Sequence, residues 1–90
     1  MKRVHLIITG DVQGVGYRAW MRSHAQKLDI LGWVKNQADG AVEAVCEGQE
    51  ARLEELISIC KKGPQVAWIH DVAVTWDKSS GEFLTFEIKL

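Results

Sequence analysis

The chain has 90 residues, a net charge of −1, 47% hydrophobic and 26% charged residues, and a single Pro. At this length a chain closes one core, burying about 60–65% of its unfolded surface, so residues 1–90 are read as one domain, and the composition excludes disordered and fibrous classes. No apolar stretch approaches the roughly 20 residues needed to span a bilayer and the start lacks the order of a signal peptide, so the expectation is a cytoplasmic protein with no membrane partner.

Residues 4–9 (VHLIIT) are apolar and largely β-branched, a strand by length and composition. The glycine-containing stretch GDVQGVGYR follows, and then Trp20, Met21, Ala25 and Leu28 recur at helical spacing, predicting a helix that ends near Asp29. ILGWVKN and AVEAVCEG read as two strands joined across QADG, whose Asp-Gly pair favours a tight hairpin. Over 49–62, Leu53, Leu56, Ile57 and Cys60 form one apolar stripe, with glutamates early and Lys61 and Lys62 late, as a helix dipole prefers. Gly63 and Pro64 stop that helix. Residues 66–76 alternate as a long strand with one slip in the alternation, DKSSGE turns the chain, and 83–89 (FLTFEIK) make a last, edge strand. The order βαββαβ plus one strand predicts an α+β, ferredoxin-like sandwich, with both helices on one face of a mainly antiparallel sheet.

The charge is uneven. Residues 1–36 carry six Lys/Arg against two Asp, a net +4, and the remainder five against ten, a net −5. The basic part contains the glycine loop, which points to a small anionic ligand, while the overall charge argues against general nucleic-acid binding. Cys46 and Cys60 match no CxxC site and are too few for a disulfide scaffold, so free, buried thiols are expected. His5, His24 and His70 match no zinc motif and read as structural or solvated, so no metal is expected. The four tryptophans read as core or edge packing.

Gly14, Gly16 and Ala19 fit the dinucleotide pattern GxGxxG/A, but that pattern needs its first Gly at the strand end and parallel strands after it, and here a hairpin follows. A nucleotide P-loop is excluded because no Lys follows the glycines. A less specific reading is a loop whose successive N–H groups, backed by a helix start, hold an anion. Arg18 at that helix start offers a planar fork of donors matched to phosphate oxygens. Equally, the glycines could serve a turn and Arg18 be solvated.

GDVQGVGYR and the later GWVKNQADGAVEAVCEG together resemble the two signatures of the acylphosphatase family. The first is matched at every fixed position from Gly10 to Arg18, and the second at Gly32, Trp33, Val34, Lys35, Asn36, Gly40, Val42 and Gly48. The likeness extends to KGP at 62–64 and FEI at 86–88. It implies a cytosolic, metal-independent enzyme without cofactor, which hydrolyses carboxyl-phosphate mixed anhydrides to carboxylate and orthophosphate. On this resemblance the phosphate-binding loop is Gly10, Asp11, Val12, Gln13, Gly14, Val15, Gly16, Tyr17 and Arg18. Arg18 and the loop amides would hold the phosphoryl group, or free phosphate or sulfate, and Asn36 would position the attacking water. Asn36 also suits a strand end before a turn for local reasons alone.

A carboxylate leaving group, with a conjugate-acid pKa of about 4, departs without a general acid, so a site with no His or carboxylate is chemically sufficient. Two rivals remain. An RNA-binding sheet would need aromatics on its central strands, and the first and third strands have none. A non-catalytic module that binds phosphate or acyl phosphate for a partner would keep the same loop. A monomer acting on a small-molecule acyl phosphate is the expectation.

Overall fold

The computed structural model describes residues 1–90. In chain order the elements are β1 (Lys2–Asp11), α1 (Tyr17–Lys27), β2 (Leu31–Asn36), β3 (Val42–Gly48), α2 (Glu50–Lys62), β4 (Trp68–Lys78) and β5 (Phe86–Ile88). They form one five-stranded sheet in the order β4-β1-β3-β2-β5, antiparallel except where β5 runs parallel to β2. The expected ferredoxin-like sandwich is what forms.

Alternation decides the faces. Val4, Leu6 and Ile8 of β1, Ala44 and Cys46 of β3 and Val34 of β2 are buried against Met21 and Ala25 of α1 and Leu53, Leu56 and Cys60 of α2, with none of these side chains exposed. Both helices therefore lie on one face. Both cysteines are free and buried. The slip in the β4 alternation is a bulge: Thr9 pairs with Asp71 and Gly10 with Ile69, leaving His70 unopposed. The extra residue keeps Ile69 and Val72, on either side of it, turned toward the core.

The C-terminal segment departs from expectation in its length, since the last strand spans only Phe86–Ile88 rather than 83–89. The connection before it, whose destination the sequence leaves open, does not return beside β4. It crosses from one edge of the sheet to the other. The anchor is Glu47, which is 3% exposed and accepts bonds from Arg3 Nε (2.7 Å), Ser80 N (2.7 Å), Ser80 Oγ (3.0 Å) and Gly81 N (3.1 Å). Phe83 lies under the Arg3 guanidinium rather than in a ladder. Among the tryptophans only Trp20 packs against the core. Trp33 sits on the helix-free face beneath Lys89 and Lys35, and Trp68 and Trp76 are exposed on edge strand β4.

Candidate active site

β1 ends at Asp11, and Val12, 1% exposed, pins the following loop to the core. Gly14 (φ 76°) and Gly16 (φ 79°) then take left-handed backbone, which glycine adopts without the penalty a Cβ brings. Gly16 is the N-cap of α1, and no side chain caps the helix. As a result the backbone N–H groups of residues 12–19 have no acceptor in the protein, while Trp20 N donates to Gly16 O. A helix start left open in this way, with its positive dipole end, is suited to an anion.

Arg18 stands in the first turn of α1, half-buried and without an ion-pair partner. Across from it Asn36 closes β2, and its Oδ1 is buried with no hydrogen-bond partner. No protein group donates to this oxygen, so it is free to accept a hydrogen bond from a molecule in the hollow. Arg18 and Asn36 share a hollow of about 140 Å³ with Val12, Gly14, Gly16, Tyr17, Ala19 and Ile88. Pockets for drug-sized ligands are ~300–1,000 Å³, so this one is too small to enclose such a ligand and has room for a group of only a few heavy atoms.

Five of the nine expected loop residues, Val12, Gly14, Gly16, Tyr17 and Arg18, line the hollow together with Asn36. Tyr17 contributes there close to the main chain, because its ring is buried and its hydroxyl donates to Cys60 O at 3.1 Å. Burial, with Cys60 beside it, pushes the Tyr17 pKa far up, so it stays neutral. Gly10 and Asp11 end the β1 ladder opposite Ile69 and Trp68, Val15 packs against the core, and the Gln13 side chain reaches the β2–β3 turn. The sequence reading missed Ala19 and Ile88. Ala19 follows from the helix register one residue beyond Arg18. Ile88 carries no local signal, because it arrives only through the crossing to the β2 edge.

No His, Asp or Glu lines the hollow. His5 sits on the helix-free face, 2.7 Å from Glu43, His24 stacks edge-on against Trp20, and His70 neighbours Trp68. No three His, Cys, Asp or Glu side chains converge as a metal-holding set, and no helix is long and apolar enough to cross a membrane.

Sandwich and hollow together define a small α+β protein with a ferredoxin-like fold and a small hollow beside an uncapped helix start. The family model described as Acylphosphatase matches residues 4–88. The chain is similar to the acylphosphatase of Anaeromyxobacter sp. (strain Fw109-5), with 40% identity covering 99% of this chain and 96% of that one. It is also similar to that of Acaryochloris marina (strain MBIC 11017), with 48% identity covering 91% and 87%. The crystal structure of acylphosphatase from Bacillus subtilis superposes with a TM-score of 0.96 at 36% identity, over 100% of both chains. The chain belongs to the acylphosphatase family, and it is an enzyme that hydrolyses acyl phosphates.

Proposed function

We propose that the hollow takes the phosphoryl end of an acyl phosphate, with the N–H groups of the Gly14–Gly16 loop and the Arg18 guanidinium on its non-bridging oxygens. Asn36 Oδ1 accepts a hydrogen bond from the attacking water and aims its lone pair at phosphorus. The water oxygen forms the new P–O bond as the bond from phosphorus to the acyl oxygen breaks. The carboxylate leaves with the electron pair, and the water proton passes to a phosphoryl oxygen. A carboxylate of conjugate-acid pKa about 4 needs no protonation to leave, and a loose phosphoryl transition state asks chiefly for alignment and charge stabilisation. The chemistry therefore asks for no base, metal or cofactor.

The observation that carries this reading is the buried, unpartnered Asn36 Oδ1 in the same hollow as the open amides and the unpaired Arg18. Every group invoked comes from one chain, which suits a monomer, and two free cysteines suit the reducing cytoplasm. The test is release of orthophosphate from benzoyl phosphate with and without a chelator. Arg18→Ala is expected to lose at least ~100-fold in rate, as for removal of one positioned donor to transition-state charge. Asn36→Ala is expected to lower kcat with KM nearly unchanged, and chelator to change nothing. Alkyl phosphates, whose alkoxides are far more basic, are expected to turn over poorly. Metal-dependent turnover, or an Asn36→Ala enzyme altered in KM alone, overturns the assignment.

A further inference from the structure

β1 and β2 are not neighbours, because β3 lies between them. The loop that leaves β1 and the Asn36 that ends β2 thus start about 9.5 Å apart, two strand spacings. One side chain bridges this gap. Gln13 Nε2 donates to Gln37 O (2.8 Å) and to Ala41 O (2.9 Å), so each hydrogen of its NH2 group holds one arm of the β2–β3 turn at the neck. Both partners are carbonyl oxygens, which fixes the orientation of the amide: the flipped form would set Oε1 against two acceptors.

The turn is otherwise closed by its own bonds, Gln37 N to Ala41 O (2.8 Å), Gly40 N to Gln37 O (3.2 Å) and Ala41 N to Asp39 Oδ1 (3.0 Å). None of these reaches the glycine loop. Gln13 makes the hydrogen bonds that tie residues 12–16 to the turn, and it grips the residue that follows Asn36.

We propose that Gln13 is a positioning residue, whose paired hydrogen bonds hold Asn36 Oδ1 at a fixed distance from the glycine loop and so set the line of attack of the water on the bound phosphoryl group. The inference rests on the role given to Asn36 above. The Gln13 side chain does not line the hollow, so its loss affects alignment and not the grip on phosphate. Misplacement by about 1 Å at a reacting centre costs up to ~100-fold in rate.

The experiment substitutes Gln13→Met, similar in length and without donors, in the wild type and in Asn36→Ala. It measures kcat and KM for benzoyl phosphate and the dissociation constant of inorganic phosphate. In the wild type kcat is expected to fall about ten- to a hundredfold while phosphate affinity stays within about twofold. In Asn36→Ala the substitution is expected to cost nothing further, because the group it positions is gone. A second variant, Gln13→Glu, can donate one of the two bonds when protonated. Two carbonyl acceptors favour its protonated, donating form, so its kcat relative to wild type is expected to recover as pH falls from about 7 toward about 4. Gln13→Met with wild-type kcat beside an impaired Asn36→Ala overturns this inference alone. So does an equal loss in both backgrounds, a parallel loss of phosphate affinity, or a flat ratio for Gln13→Glu. An Asn36→Ala enzyme with full kcat overturns the reading of Asn36 and this inference with it.

Discussion

Gly10 and Gly16 both have positive φ, for different physical reasons. At Gly10 (φ 130°) an added Cβ would lie 2.1 Å from Trp68 O and 2.8 Å from His70 N, inside the backbone of the β4 bulge. At Gly16 (φ 79°) an added Cβ would meet nothing within 4 Å, so only the left-handed conformation itself is penalised, by about 1–2 kcal/mol. Gly10→Ala is therefore expected to lose about 3 kcal/mol or more of stability in urea unfolding, with the folded fraction still active. Gly16→Ala is expected to stay within about 2 kcal/mol of wild type and to lose kcat/KM, because relaxing that φ re-aims the amides at the helix start. A stable and fully active Gly16→Ala enzyme would remove that residue from the cradle.

The connection between β4 and β5 is the element with the most distant consequence for the site. Glu47 fastens it at the far end of the sheet, and β5 then runs beside β2 back toward the hollow, pairing Phe86 with Gly32 and Ile88 with Val34. Burial alone would raise the Glu47 pKa, but the donors of Ser80 and Gly81 and the Arg3 guanidinium outweigh it and hold the carboxylate below its usual range. Glu47→Gln keeps one acceptor oxygen, whose charged hydrogen bonds, worth about 1.5–3 kcal/mol each, become weaker neutral ones, and turns the other into an NH2 that cannot accept and faces a donor such as Gly81 N. The expected outcome is a loss of about 2 kcal/mol in urea unfolding. Faster hydrogen exchange is also expected at Gly32 and Lys89, whose amides bond Thr85 O and Val34 O at this edge. Unchanged exchange there would mean that the pairing of β5 with β2 and the packing of Phe86 and Ile88 hold this edge without the Glu47 anchor. This element also marks the limit of what the sequence made legible. The helices, the Asp-Gly hairpin, the bulge and the Arg18 helix start are written in local periodicity and turn chemistry, so they could be read in order along the chain. The destination of 79–85 depends on Glu47 meeting a loop more than thirty residues later, and Ile88 and the reach of Gln13 to Gln37 depend on which strands become neighbours. No local pattern encodes these contacts. The family signatures supplied Asn36, whose position before a turn had an adequate local explanation.

For the molecule as a whole, the shifted carboxyl, thiol and phenol groups fall into two sets that bound a plateau of stability. Glu43, beside His5 and then Lys35, Glu47 in its buried site and Glu82 beside Arg3 are all held below the ordinary carboxyl range. A carboxyl depressed on folding stabilises the folded chain above its unfolded pKa, about 4.3, and that contribution disappears as pH falls through the lower folded values. The second set has the opposite sign. Burial pushes Cys46 well up and Cys60 up to about 12, and raises Tyr17 further still. Above about pH 8.5 the unfolded chain releases thiol protons that the folded chain retains, so folding stability falls with rising pH. Each thiol contributes a slope of about 1.4 kcal/mol per pH unit between its unfolded and folded pKa. Urea unfolding from about pH 3 to about pH 10 should thus give a level region near neutrality with a decline on both sides. The alkaline decline discriminates best, because Cys60→Ala should reduce its slope by one thiol's share between about pH 9 and 10 whatever the substitution does to absolute stability. An unaltered alkaline slope in that variant would show that the Cys60 proton is released as readily from the folded core as from the unfolded chain, contrary to its burial between α2 and the sheet.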